Sequence, residues 1–357
     1  SDPRGSRQAE MSSSSVTNHD QQLSSRIPKH FTIVLILCLV LLVISICASL
    51  MFGSRPVRFH ELIDGLFRPE VDSYGANVVR KRISRTVFSL MCGGALGVSG
   101  SLMQAVTRNP IADPSILGVN TGAALFVVCG IAFLNISTPN QYIWLALAGA
   151  AITAAFVFGI GSMGRGGATP IKLVLAGAAT SAALSSLVTA IMIPRSYVMD
   201  QFRFWQVGSV GAATWGGITT FIPFLIIGIL IGILTVPALN ALALGDEVAT
   251  GLGVRTGTLR FIAALAGVLL CGATTALAGP IGFIGLLSTH VIRLMLGPDL
   301  RFVIPMSAIA GAIILTVADV GGRVVSGPGE LEVGVVTAFI GAPILIILAM
   351  RAKVRSL

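Results

Sequence analysis

Charged residues are scarce in this sequence. Of its 357 residues, only 11% are Asp, Glu, Lys or Arg, whereas 54% are hydrophobic. A soluble domain typically carries about 25% charged residues, which its surface needs for solvation. The shortage argues against an ordinary water-soluble protein and indicates a surface that faces lipid. The 41 glycines agree with this, because small residues let membrane helices approach one another closely.

Motifs for catalysis and nucleotide binding are also missing. No GxxxxGK[ST] phosphate loop occurs, so the chain is not expected to bind ATP by itself. HExxH, GxSxG and paired membrane aspartates are absent, which argues against an intramembrane protease or hydrolase. The five cysteines form no CxxC pair and the four histidines are scattered, so no metal site is expected. Ion-coupled carriers usually place ionisable groups mid-membrane, but the candidates here, Asp319 and His290, lie near predicted helix ends.

Long apolar runs are abundant. A helix that crosses the bilayer needs about 20 apolar residues, and ten segments meet this requirement. We therefore predict an all-α, polytopic membrane protein with about ten transmembrane helices. The segments are 31–54, 86–107, two within 114–164, 173–194, 215–236, two within 261–292 that part at Gly279-Pro280, 302–320 and 333–350.

The termini and the charge distribution predict the topology. Residues 1–30 are expected to be a vector remnant and a disordered cytoplasmic tail, without a cleavable signal peptide. Residues 31–352 form the transmembrane domain, and 353–357 a second cytoplasmic tail. Ten spans place both ends on one side, and the basic end favours the cytoplasm. Lys and Arg from residue 11 onward then divide twelve to ten between cytoplasmic and outer ends, and five of the outer ten lie within 68–85.

The longest predicted cytoplasmic connection runs from residue 238 to 258. Asp246 and Glu247 would begin a short helix there, where the helix macrodipole favours negative charge. Gly251 and Gly253 would end it. A short exposed amphipathic helix can dock into a groove on a partner, and an ordinary connecting loop is the alternative.

Several blocks of the sequence together carry a family resemblance. They are 82–85 with 93–104, 107–120, 204–210 with Trp215, 278–285 and 330–343. These blocks resemble the FecCD permeases, the membrane subunits of type II ABC importers for iron siderophores, haem and cobalamin. The likeness covers residues 31–352, and two positions depart from it: Ser84 and Thr289 stand where the family usually has proline. Residues 200–206 are particularly similar to the ferric-enterobactin branch, which favours a ferric siderophore over haem or cobalamin.

The resemblance implies a type II ABC importer permease fold in the bacterial cytoplasmic membrane. Two permease subunits, a heterodimer rather than a homodimer, would enclose a central path. Two ATPase subunits would use ATP and Mg on the cytoplasmic side, and a periplasmic or lipid-anchored substrate-binding protein would dock outside. This chain would be no enzyme and would bind no cofactor and no nucleic acid. A stand-alone secondary transporter is the alternative from another class.

The resemblance also implies roles for individual residues. Arg82, Arg85 and Arg323 match outer arginines that grip acidic residues of the binding protein, although Arg82 and Arg85 could instead anchor a helix at the lipid headgroups. The cytoplasmic gate would involve Asn109, Ile111, Pro170 and Ile171. Coupling to the ATPase would involve the segment 240–255, in particular Leu244, Gly245, Asp246, Glu247, Gly251 and Gly253.

Overall fold

The computed structural model describes residues 30–165, 170–327 and 329–355, and within these ranges the only regular secondary structure is helical. The all-α prediction is therefore confirmed, while the two predicted tails fall largely outside the described residues. The α-helices are α1 Phe31–Met51, α2 Phe59–Phe67, α3 Tyr74–Thr107, α4 Val119–Leu134, α5 Pro139–Gly161, α6 Pro170–Met192, α7 Ser196–Gln206, α8 Trp215–Leu234, α9 Val236–Ala243, α10 Asp246–Gly251, α11 Thr256–Ala278, α12 Ile284–Leu296, α13 Leu300–Val325 and α14 Val333–Arg355, with a 3-10 helix at Pro114–Leu117.

Ten of these helices correspond to the ten apolar segments of the sequence. Seven of the described helices, α1, α3, α5, α6, α8, α11 and α13, are long and apolar enough to cross a membrane. The remaining three segments form the shorter apolar helices α4, α12 and α14. The chain is thus a multi-pass membrane protein. Helices α4 and α12, with 16 and 13 residues, are shorter than the hydrocarbon core, so neighbouring non-helical backbone must cover the remaining distance.

The break between α11 and α12 shows how a short helix is accommodated. α12 has 13 residues and is about 20 Å long, less than the roughly 30 Å of a hydrocarbon core. The preceding backbone is non-helical and is covered by protein: Ser209 N–H donates to the Ala278 carbonyl at 2.6 Å. At Gly279, where φ is 73°, a side chain would overlap the Trp205 carbonyl. Irregular backbone is tolerated at membrane depth only when protein or a water-filled cavity surrounds it.

Helix α3 is longer than the sequence predicts. It begins at Tyr74 rather than at residue 86 and contains 34 residues, so it is about 51 Å long and extends beyond the hydrocarbon core. The Ser73 hydroxyl caps it by accepting from Ala76 N–H at 3.2 Å. The charged stretch 80–85, predicted as an outer connection, therefore lies on a projecting helix end where the charges can reach water.

The core of the bundle is the contact between α3 and α13, in which small residues allow the two backbones to touch. A Cβ at Gly93 would overlap the Gly311 carbonyl, and one at Gly97 would overlap the Ser307 carbonyl. Nearby, the Ser89 and Thr316 hydroxyls are hydrogen-bonded at 3.1 Å. Close van der Waals contact and interhelical hydrogen bonds are the attractions available to helices in lipid, so this contact fixes the helices that carry the candidate site.

Two adjacent glycines of α3 provide a matched test of this packing. Gly93→Ala should destabilise the protein by about 1–3 kcal/mol, because the added methyl forces two backbones apart. Gly94→Ala should have little effect, since its nearest neighbour would be the Ala308 carbonyl at 3.5 Å. The unfolding midpoints of both variants in detergent measure the difference. Equal midpoints would show that the α3–α13 contact is loose enough to absorb a methyl group.

Candidate functional site

A cluster of charged residues lies where the N-terminal end of α3 meets α13. Asp319 of α13 is 1% exposed and accepts two hydrogen bonds from Arg85 of α3, from Nε at 3.1 Å and from Nη2 at 2.8 Å. Such paired hydrogen bonds fit the planar guanidinium fork to a carboxylate. A buried aspartate in this setting is a structural partner of the arginine.

Arg323 completes the buried part of the cluster from one turn further along α13. Its Nη2 lies 3.2 Å from Asp319 Oδ2, and its Nη1 and Nη2 donate to the Ser49 carbonyl and hydroxyl of α1, each at 3.0 Å. Arg323 is 2% exposed. It belongs to the last turn of α13, not to the following loop as predicted, and its burial assigns it an internal role. Arg323 therefore presents almost no surface to a partner protein.

Glu330 adds an exposed carboxylate to the same cluster. It lies between α13 and α14, 40% exposed, and Arg85 Nη1 donates to its Oε2 at 2.6 Å. Arg85 thus links a buried acid and a surface acid, while Arg323 adds the second positive charge. The two guanidiniums and two carboxylates make the cluster electrically neutral overall.

Arg82 has a different task, which is to end helix α1. Its Nη1 donates to the carbonyls of Leu50 and Met51, each at 3.0 Å, and its Nη2 donates to the Arg55 carbonyl at 2.7 Å. The last carbonyls of a helix have no partner within the helix and carry partial negative charge. The structure places Arg82, Arg85 and Arg323 around one cavity, and most of their hydrogen-bonding capacity is used inside the chain.

A cavity of about 280 Å³ opens beside this cluster and is rich in positive charge. Two exposed cations that the prediction did not single out, Arg55 and Lys81, line it with Tyr74. The Arg55 guanidinium lies 4.5 Å from the centre of the Tyr74 ring. The signal that could have identified both cations was the excess of Lys and Arg near 68–85 on the predicted outer side.

The segment predicted for ATPase coupling lies at the other end of α3 and consists of two short helices rather than one. Gly245, at φ 117° and ψ 156°, separates α9 from α10. As predicted, Asp246 and Glu247 occupy the first turn of α10, and Gly251 is its last residue; Gly253 follows at φ 85°. The bend arises because Gly245 adopts a conformation that L-residues rarely tolerate.

Polar contacts hold this segment against the bundle. Asn240 of α9 donates to Asp299 Oδ1 at 3.0 Å and accepts from Leu300 N–H at 3.1 Å. Burial would raise the pKa of Asp299, but hydrogen bonds from Arg301 and Asn240 outweigh it and hold that pKa below its ordinary value. The carboxylate therefore stays ionised at neutral pH and keeps α9 on the start of α13.

The outer surface of the segment is an apolar stripe. Leu244, Val248 and Leu252 are 67%, 48% and 65% exposed. Val248 on α10 and Leu252 at its C-cap lie four residues apart, the spacing that aligns side chains on one helical face, and Leu244 precedes the bend at Gly245. On the inner side Ala249 is fully buried, and Asp246 pairs with Arg260 at 2.9 Å and with Arg108 at 3.5 Å. We call residues Leu244, Val248 and Leu252 the apolar stripe.

The predicted gate residues lie in two separate places. Asn109 forms a tight turn after α3, in which its Oδ1 accepts from Ile111 N–H at 3.1 Å. Ile171, near the start of α6, is 73% exposed, and the Pro170 side chain lies outside the described residues. The loop after Ile111 approaches α6 near Ser181, 3.3 Å from where a Cβ at Gly118 would lie. The gating role stays a prediction.

Comparison with known proteins relates this architecture to transport. The family model described as the FecCD transport family matches residues 41–351. The ferric enterobactin transport system permease protein FepD of Escherichia coli is 41% identical over 314 residues, 88% of this chain and 93% of the relative. The Fe(3+)-citrate import system permease protein YfmD of Bacillus subtilis is 38% identical over 318 residues, 89% and 94% of the two chains.

Among solved structures, the fold matches a chain described as a metal-chelate type ABC transporter in an inward-facing conformation. The TM-score is 0.76 at 25% identity, with 90% of this chain and 99% of the other covered. The helical architecture and these relatives define the class as the membrane permease of an ABC transporter. The chain belongs to the FecCD transport family.

The buried cluster makes a prediction about stability. Asp319→Ala would leave two guanidiniums without their buried acid, and breaking one partner of a buried ion pair costs about 3–5 kcal/mol. Glu330→Ala removes an exposed partner and should cost less than about 1 kcal/mol. The unfolding midpoints in detergent compare the two variants. A Glu330→Ala variant as unstable as Asp319→Ala would show that the surface acid holds the cluster together.

Proposed function

We propose that this chain is the translocation subunit of a bacterial ATP-driven importer for ferric siderophores. The observation that carries the proposal is the apolar stripe, which lies on a segment that polar contacts hold against one end of the membrane bundle. Large apolar side chains exposed on and beside a short helix are typical of an element that enters a groove on a partner. Because the sequence has no phosphate loop of its own, the energy source is a partner, and the stripe is where an ATPase subunit binds.

The second permease subunit of the assembly fits the exposed surface of α6. Only 11% of the most apolar window of this helix is buried. Its exposed side includes Ala178, Ala182, Ser185 and Thr189, and small residues of this kind permit close helix contact or line a path. We favour a different permease chain over a second copy of this one, in keeping with the resemblance to the enterobactin branch.

The substrate follows from the same branch. Residues 200–206 resemble the ferric-enterobactin permeases, and the relatives reported above are named for ferric enterobactin and ferric citrate. Both observations favour an iron chelate over haem or cobalamin as the cargo. The protein would lie in the cytoplasmic membrane with both termini inside. The two ATPase subunits of the importer would bind on the cytoplasmic side, one of them at the stripe of this chain, and a binding protein would dock on the opposite face.

Removing the stripe tests the proposal. The triple variant Leu244→Ser, Val248→Ser, Leu252→Ser should insert and melt like the wild type, because these side chains touch water rather than the core. Association with the ATPase subunit should fall by more than about tenfold, since buried apolar anchors dominate such interfaces. Phe67→Ser, a change of an equally exposed residue at the other end of the bundle, is the control and should leave association unchanged.

Transport in proteoliposomes provides the functional readout. With the ATPase and binding protein present, uptake of a ferric catecholate should stop on ATP depletion and survive collapse of the proton gradient. Uptake that requires only the proton gradient would identify a secondary transporter. Normal substrate-stimulated hydrolysis in the triple variant would remove the stripe from the coupling mechanism.

The basic outer cavity is the proposed docking surface for the binding protein, formed by Arg55, Lys81, Arg82 and Arg85. Exposed charges of one sign mainly steer encounter, and the screening length is only about 8 Å at physiological ionic strength. Association should therefore slow steeply as salt rises. Lys81→Glu should slow it further without lowering stability, whereas Arg82→Glu should also destabilise the end of α1.

Association of the binding protein with permease in nanodiscs, followed against salt, is the measurement. Arg255→Glu applies the same charge reversal at an exposed position on the opposite face and is the control. If Lys81→Glu and Arg255→Glu associate at the wild-type rate at low salt, the outer cations are membrane anchors and the docking surface lies elsewhere.

A further inference from the structure

A second cavity of about 280 Å³ lies at the same end of the bundle as the apolar stripe. The ends of four helices surround it: the last turns of α3 and α12, the side of α9 and the start of α13. Its lining includes Gln104, Arg108 and Arg293, together with apolar residues such as Leu239 and Leu300, and contains no acidic residue. Two guanidiniums and no carboxylate among the lining residues favour a negatively charged ligand, and Asp246 lies 3.5 Å from the Arg108 guanidinium.

Three buried polar atoms of the residues that line this cavity have no hydrogen-bond partner within the described part of the chain. Gln104 is 1% exposed, and neither its Oε1 nor its Nε2 has a hydrogen-bond partner there. The Arg293 Nε is likewise buried and unpartnered. Each unsatisfied buried polar group costs about 1–3 kcal/mol, and more when it is charged. Three such atoms around one cavity indicate that something else satisfies them.

Arg108 lies at the mouth of the cavity, where its guanidinium adds hydrogen-bond donors to those of Arg293 and Gln104. It ends α3 in a left-handed conformation, with φ 50°, and its side chain is 46% exposed. Its ion pair with Asp246 is long, at 3.5 Å, and Asp246 makes a shorter one with Arg260 at 2.9 Å. Arg108 therefore retains donors for a ligand, and its exposure shows that the cavity reaches the surface.

The groups in the cavity specify the chemistry of the occupant. It must present several acceptors to two arginines and to the Gln104 amide nitrogen, and at least one donor to the amide oxygen. Water alone supplies no charge, and the volume far exceeds the roughly 30 Å³ share of one water molecule. A phosphate group carries charge-assisted acceptors that suit guanidiniums, and a neighbouring hydroxyl supplies the donor.

We propose that this cavity binds a phosphate group, held by Arg293, Arg108 and Gln104. Basic pockets between transmembrane helices at a membrane surface are suited to anionic phospholipid headgroups, and the glycerol hydroxyl of phosphatidylglycerol would meet the Gln104 oxygen. Free inorganic phosphate has the same chemistry. The assignment to the cytoplasmic leaflet rests on the orientation in the proposed function, but the site itself does not.

The experiment compares the full-length permease with three variants in nanodiscs, without ATP, ATPase or substrate. Arg293→Gln removes a charge from the cavity, and Gln104→Leu removes its amide. Arg255→Gln removes a charge from an exposed position at the same end of the bundle and serves as the control. One set of nanodiscs contains phosphatidylglycerol in phosphatidylcholine with no phosphate in the buffer. The other contains phosphatidylcholine alone with inorganic phosphate added.

Native mass spectrometry counts the retained phosphatidylglycerol, and thermal unfolding measures stabilisation by either ligand. Wild type and Arg255→Gln should retain lipid, and Arg293→Gln should lose at least about tenfold in affinity, as one charge-assisted hydrogen bond implies. Stabilisation by phosphatidylglycerol alone identifies a headgroup site, and stabilisation by inorganic phosphate in phosphatidylcholine identifies a free-anion site.

Stability without phosphatidylglycerol or inorganic phosphate, in the zwitterionic lipid phosphatidylcholine, separates loss of the site from loss of the fold. An unpaired buried charge destabilises a protein, so Arg293→Gln should melt at or above the wild-type temperature in phosphatidylcholine alone and should gain nothing from either ligand. Equal ligand stabilisation of wild type and Arg293→Gln would overturn the proposal. The proposal would also be overturned if Arg255→Gln lost as much ligand affinity as Arg293→Gln, because this would show nonspecific attraction. Because no ATP-driven step is measured, failure of the proposed transport function would not affect the result.

Discussion

The close contact between α3 and α13 is the interaction on which the rest of this structure depends. In lipid there is no hydrophobic drive to bring two helices together, so contact must come from packing and hydrogen bonds. Gly93 and Gly311 lie against each other's backbone, and Ser89 bonds to Thr316 on the same face. Because this contact sets the separation of the two axes, it also sets the distance at which Arg85 can reach Asp319.

The arrangement of charges near the N-terminal end of α3 follows from that separation. Placing an aspartate at 1% exposure is expensive unless its charge is paired and its oxygens are hydrogen-bonded. The structure meets both needs with Arg85 from α3 and Arg323 from α13 itself. The buried cluster then ties α1 to the pair through Ser49. The same arginines that resemble partner-binding residues thus contribute first to holding three helices in place.

The apolar segments could be predicted from the sequence because a long uncharged run has few alternatives to a membrane helix. The start of α3 could not, since residues 80–85 carry charges that are equally compatible with a loop. The internal role of Arg323 could not be predicted from the sequence either, because Arg323 shares its buried partner Asp319 with Arg85. Arg85 and Asp319 are 234 residues apart in the chain, and only the packing of α3 on α13 brings them together. The short helix that begins at Asp246 could be predicted from the sequence, whereas the bend before it depends on the backbone angles of Gly245.

Helix α3 connects the two charged ends of the protein. Near the start of α3 Arg85 contacts Asp319, and just beyond the end of α3 Arg108 contacts Asp246 of α10 beneath the apolar stripe. A continuous helix of 34 residues transmits displacement along its axis because its backbone hydrogen bonds and close-packed neighbours resist compression. A movement of α10 that pulls on Arg108 therefore acts on the same rigid element that positions Arg85. The cavity lined by Arg108 and Arg293 lies at this junction, so an anion bound there would brace the end of α3 against α12 and α13.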